Sequence, residues 1–204
     1  MNTWTQLSDP ETIDKTIAAL KANNIDAVFV ETGAEAKQKV LEMLPAGAEV
    51  FSMQSQTLKA IGLDTEIDES GNYTSVRKQL MALDRATQGK EMKKLGSAPD
   101  WAVGSVHAVT TNGHVMIASN TGSQLAANAS GASHLIWVVG TQKIVKDREE
   151  GFRRIYEHSL VLESERVKKL YGWPGSEVKK ILIIDKEIAP GRTTLIFVNE
   201  VLGF

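Results

Sequence analysis

Five short stretches, "ETGAE", "MQSQT", "GSVHAV", "SNTGSQ" and "GTQKIV", each border an apolar run and place Gly, Ser, Thr or Gln where the next segment begins. Loops of this make-up expose backbone N–H groups at helix starts, a setting suited to a phosphate or carboxylate. "SNTGSQ" carries the pattern furthest. Gly122 lets a backbone approach closely, and Thr121 or Ser123 can cap the helix that follows. With Asn120 and Gln124, and with Ser55 of "MQSQT", these residues form the candidate substrate-binding set. Lys143 of "GTQKIV" joins it as the charge that would neutralise an anionic substrate. Two residues could move a proton: Glu31, which closes the first apolar strand, and His107, which follows a predicted strand end. Each has a plainer alternative. Small polar residues often only cap helices, a lysine is commonly solvated, a loop histidine is commonly just hydrogen bonded, and a glutamate at a strand end often caps or pairs.

Other chemistries have little support. There is no cysteine, which removes disulfides, thiolate metal sites and iron–sulfur clusters held by this chain's own thiolates. His107, His114, His134 and His158 form no short metal-spaced pair, so no metal and no cofactor are expected. No GxGxxG pattern, P-loop lysine or nucleophile elbow occurs. The charged stretch "DREEGFRR" reads as a solvated helix face. A net charge of −2 marks neither a nucleic-acid binder nor a membrane-surface binder. The first residues, "MNTWTQLSDPET", lack a basic and then apolar signal pattern, and "LIWVV" and "ILII" are far too short to cross a bilayer. A cytoplasmic location is the expectation.

The elements that must position these loops follow from periodicity. Asp9 and Pro10 open a helix in which Ile13, Ile17 and Leu20 recur at helical spacing. "IDAVFVE", a helix capped by Thr32, "AEVFSM" and a short helix capped by Ser55 then alternate as strand, helix, strand, helix. That alternation predicts a parallel sheet with right-handed crossovers. The stretch from Asp64 to Gly96 is polar and helix-rich. "DWAVG" is a further strand, "HAVTTNGHVMIAS" a hairpin around Asn112-Gly113, and "SHLIWVVG" a strand buried on both faces. A charged helix and two strands, "KKILIID" and "TTLIFVN", close the chain, joined through Pro190-Gly191. The expected fold is α/β, a mostly parallel sheet with helices on both faces and an antiparallel hairpin or edge. No composition shift divides the chain, so residues 1–204 are read as one domain.

Four stretches, "AEVFSMQSQTLKAIGL", "WAVGSVHAVTTNGHVMIASNTGSQLAA", "SHLIWVVGTQKIVKDREEGFRRI" and "PGRTTLIFVNEVLGF", occur in one order and at one spacing. Together they resemble the lactate-utilisation (LUD) domain family in its single-domain form, from about residue 10 to the end. The resemblance implies a fold like that of ribose-phosphate isomerase, glucosamine-phosphate deaminase and CoA-transferases, in which strand-end loops bind sugar phosphates or acyl-CoA. It also implies a link to oxidation of lactate to pyruvate, alongside iron–sulfur and oxidoreductase partners. The chain departs from many relatives in three places. "LYGWPGSEVKK" lacks their cysteine cluster, His107 stands where they often have Asn, and Ser123-Gln124 stands where they often have Asn-Arg.

Three functions fit these residues. The first is a LUD-type protein of lactate or organic-acid utilisation that binds a small anionic metabolite at its strand-end loops. The second is a non-catalytic accessory subunit of an iron–sulfur oxidoreductase complex. The third is a sugar-phosphate isomerase-like enzyme, with Glu31 or His107 moving the proton and residues 120–124 holding phosphate; the lack of an acid/base pair at fixed spacing counts against it. Expected partners are therefore a small anion, oxidoreductase subunits or a second copy of the chain, and neither nucleic acid nor membrane.

Overall fold

The computed structural model describes residues 3–204. Helix starts follow local chemistry. In α1 (Pro10–Ala22) the Asp9 carboxylate accepts from the Thr12 amide at 2.9 Å, and Pro10 takes the first turn, where its missing N–H costs nothing. Thr32 caps α2 (Gly33–Met43) by accepting from the Glu35 amide, and Ser55 caps α3 (Gln56–Ala60) by accepting from the Leu58 amide. Between these helices run β1 (Asp26–Val30) and β2 (Glu49–Ser52). The polar region folds as α4 (Leu63–Glu69), a two-residue β3 (Thr74–Ser75), α5 (Val76–Ala82) and α6 (Gly89–Ser97). After these come β4 (Trp101–Gly104), β5 (Ala108–Thr110), β6 (Val115–Ser119), β7 (His134–Gly140) and β8 (Ile144–Val145). The chain ends with α7 (Arg148–Arg154), α8 (Leu160–Tyr171), β9 (Lys180–Ile184) and β10 (Thr193–Val198).

Six strands form a parallel sheet in the order β1-β10-β7-β4-β2-β3. Its centre is apolar on both faces, which explains the unbroken runs in β7 and β10. Leu135, Trp137, Val139, Leu195 and Phe197 join one core cluster with Leu20 of α1 and Val76 of α5. Their neighbours Ile136, Val138, Ile196 and Val198 join the opposite cluster with Val40 of α2, Leu58 of α3 and Ile67 of α4. The register is continuous: Leu195 lies between Ala27 and Trp137, and Phe197 between Phe29 and Val139. The expected mostly parallel α/β architecture is thus present, with helices on both faces.

A second, mixed sheet has the order β8-β5-β6-β9. β5 and β6 form the expected antiparallel hairpin, pairing Ala108 with Met116 and Val109 with Val115. Its turn needs glycine: Gly113 has φ +76°, and a Cβ there would lie 2.7 Å from the Ala19 carbonyl carbon. The Asn23 amide group donates to the carbonyls of Asn112 and Gly113, fixing the hairpin to the end of α1. Two features differ from the sequence reading. The last two strands separate: β9 pairs antiparallel with β6, while β10 sits between β1 and β7. The charged helix is not solvated along its whole first part either. Gly151 and Arg154 are buried, and a Cβ on Gly151 would overlap the Met116 sulfur. That close approach seats α7 against Met116 of β6 and Ala108 of β5. Between α7 and α8 the helix widens into a π turn over Ile155–Ser159.

Candidate functional site

The carboxyl ends of β2, β4, β7 and β10 lie side by side on one edge of the parallel sheet. Lys143 follows β7 through a single 3-10 turn, Thr141–Lys143, and is 2% exposed. Its ammonium donates to Thr57 Oγ1 at 3.0 Å and to Ser105 Oγ at 3.2 Å. Thr57 lies in α3, after β2, and Ser105 lies just after β4. Thr57 in turn donates to the Leu202 carbonyl at 3.1 Å, and Gln142 donates to the same carbonyl at 3.0 Å. Loops from four adjacent strands therefore converge on one lysine, the arrangement expected of a binding edge in an open α/β sheet.

Around Lys143 the charge is of one sign. Arg154 is fully buried; its Nη1 donates to the His107 carbonyl and to Ser159 Oγ. His158 is buried on the same helix, inside the π turn. Among the described residues, no Asp or Glu forms an ion pair with Lys143 or Arg154. Burial, and then the nearby Arg154, push the Lys143 ammonium well below its ordinary pKa. Burial lowers Arg154 to about 10. His107 falls to about 3, through burial first and then the charges of Lys143 and Arg154. His158 is lowered by burial, Arg154 and Lys143 in that order.

His107 is a well-oriented ring. Its Nδ1 accepts from the Ala118 amide at 3.1 Å. A neutral imidazole with Nδ1 accepting carries its proton on Nε2. The edge thus holds an ammonium or amine at Lys143 and, nearby, a guanidinium at Arg154, both suited to an anion.

Lys143 and His107 lie close enough for the lysine's charge to lower the histidine's pKa. Ser55 serves as the cap of α3 and thereby holds Thr57 in its helix. Glu31 is exposed and accepts from Asn199 at 2.9 Å, with no hydrogen bond to Lys143 or His107. The 119–124 loop turns its groups on itself. The Gly122 amide donates to Ser119 Oγ at 2.8 Å and the Ser123 amide to Thr121 Oγ1 at 3.2 Å. Gln124 Oε1 accepts from the hydroxyls of Ser119 and Ser123. Asn120 lines a separate cleft of about 370 Å³ with Trp173 and Lys179. The helix after this loop is short, two α residues at Leu125 and Ala126 followed by a π turn over Ala127–Gly131, and Asn128 accepts there from the Trp137 indole at 2.8 Å.

Sequence reasoning missed Thr57, Ser105, Arg154 and His158. The loops holding Thr57 and Ser105 were identified, but not the residues. A signal for the other two existed: Gly151, Arg154, Ile155 and His158 recur at helical spacing, and a mid-helix glycine marks the face pressed against a neighbour. Among the described residues, no group of three or more His, Cys, Asp or Glu could hold a metal ion.

The fold and edge define an α/β protein with a buried cationic centre at its strand ends. The chain belongs to the LUD domain family, whose model matches residues 13–198. The family suggested by the four quoted stretches is the one found. A crystal structure of a DUF162 family protein from Deinococcus radiodurans is similar over 95% of this chain and 100% of that chain, with a TM-score of 0.57 and 15% sequence identity. At that identity the likeness speaks for the fold alone. No curated protein matches the chain. No helix is long and apolar enough to cross a membrane among the described residues.

Proposed function

We propose that this LUD domain protein serves lactate or organic-acid utilisation by binding a small anionic metabolite at the carboxyl edge of its parallel sheet. One observation carries the reading: Lys143 is buried among the loops of four strands with hydroxyl partners and, among the described residues, no carboxylate. A buried ammonium is costly without a counter-charge, and an incoming anion supplies one. Thr57 and Ser105 hold the Lys143 head group in place, and His107 adds an N–H donor. The 119–124 loop acts at one remove, since Ala118, which holds the His107 ring, directly precedes it.

Calorimetric titration with L-lactate, acetate and phosphate tests this. Wild type should bind at least one of them saturably, and Lys143→Met should weaken that binding by about tenfold or more, the range of a lost charge-assisted contact. Absence of binding by all three at millimolar concentration, or equal binding by the variant, would reject the proposal.

A further inference from the structure

Arg154 stands out among the described buried residues. Its side chain is fully buried, yet Nε and Nη2 have no hydrogen-bond partner. Nη1 alone is engaged, by the His107 carbonyl and Ser159 Oγ. Nε and Nη2 lie along one edge of the planar guanidinium, and their N–H bonds run nearly parallel. That edge is the half of the fork that matches the two oxygens of a carboxylate. A guanidinium buried with this edge unpaired is unfavourable in the free protein, and the two anchoring bonds on Nη1 keep it from turning to find another partner. The π turn contributes directly: it places Ser159 five residues beyond Arg154, within reach of Nη1. Such turns are frequent at functional sites.

We infer that Arg154 is the carboxylate-recognising residue of the site, gripping the ligand's carboxylate side-on through Nε and Nη2. This rests on the anion-binding reading of the strand-end edge and names the ligand class. The ligand is a small monocarboxylate rather than a phosphate. The two parallel donors of the unpaired edge are filled completely by the two oxygens of a carboxylate, whereas a phosphate would also have to place its further oxygens. Lys143 then faces the remainder of the ligand, where a hydroxyl or carbonyl beside the carboxylate would meet its head group.

The test uses the full chain with formate, acetate, L-lactate and inorganic phosphate as probes. The Arg154 Nε–H signal is assigned in a nitrogen–proton correlation spectrum by its loss in Arg154→Lys. A carboxylate should shift that signal saturably, and Arg154→Lys, which keeps the charge and loses the fork, should bind about tenfold more weakly or worse. Phosphate should bind more weakly than the best carboxylate. An unmoved Nε–H signal at a carboxylate concentration that saturates binding would overturn the assignment. So would equal affinity in Arg154→Lys, or tighter binding of phosphate. If Arg154→Lys does not fold, the wild-type shift, assigned by Arg-selective labelling, decides alone. The two proposals fail separately. Loss of binding in Lys143→Met with none in Arg154→Lys removes Arg154 and keeps the edge. Loss in Arg154→Lys with none in Lys143→Met rejects the Lys143-centred reading and leaves Arg154 as a carboxylate site by itself. Absence of binding by every probe removes both.

Discussion

The proposed role of Lys143 predicts that it contributes more to binding than to folding. Replacing a buried ammonium by an apolar side chain of similar length removes its desolvation cost, while Thr57 and Ser105 each lose one donor. Thr57 still has the Leu202 carbonyl to donate to. Lys143→Met should therefore be as stable as wild type or more stable by about 1–2 kcal/mol, as measured by urea denaturation, even as anion binding falls. A loss of several kcal/mol would mean that the lysine is structural. His107 gives a second test at this scale. Its pKa is about 3 in the folded chain against an ordinary 6.5. The unfolded chain thus takes up this proton first as pH falls. The contribution is fully present above about pH 6.5 and is lost progressively as pH falls toward 3. His107→Gln should flatten the fall in stability across that window; an unchanged slope would show that other groups set it. At this scale the sequence was only partly legible. Lys143 and His107 could be picked out because strand ends are readable from apolar runs. Arg154 is harder to single out, because it sits in "DREEGFRR" with five other charged residues and only its helical phase relative to Gly151 marks it as inward.

Among the elements, the strands and caps were the most readable part of the chain. Asp9, Thr32 and Ser55 each cap the helix that local chemistry assigns to them. The two-sided burial of β7 and β10 follows from their unbroken apolar runs. What was not legible was partnership. β9 and β10 look alike as sequence, yet β9 completes the mixed sheet and β10 the parallel one. The difference lies in long-range pairing, which local pattern does not encode. β10 is wedged between β1 and β7, so a chain ending at Gly191 would leave both without their shared partner. Such a chain should lose its cooperative transition and native circular dichroism; retention of both would contradict the topology. A milder change probes the same junction. A Cβ on Gly140 would lie 2.5 Å from the Glu200 carbonyl oxygen and 2.9 Å from the Leu202 amide, both backbone. Gly140→Ala should push the segment after β10 away from Lys143 and destabilise by about 1–3 kcal/mol, the usual cost of overpacking. Thermal unfolding measures it, and a wild-type midpoint would show that the segment yields freely.

On the scale of the whole molecule, the cationic centre lies where the two sheets meet, with Lys143 leading from β7 into β8 and the His107 carbonyl, at the start of β5, held by Arg154. The chain passes from one sheet to the other between β4 and β5, β6 and β7, β7 and β8, and β9 and β10. The sheets are consequently laced together like two panels sewn by one thread, and neither can be pulled free while the other stays whole. Slow hydrogen exchange should reveal this. The most protected amides of β6 and of β10 should open with the same free energy and the same denaturant dependence, as one event. Two separate openings would mean that the small sheet can peel away. If they do open together, a ligand gripped at the seam protects both panels equally, and anything that loosens one stitch exposes the entire cloth.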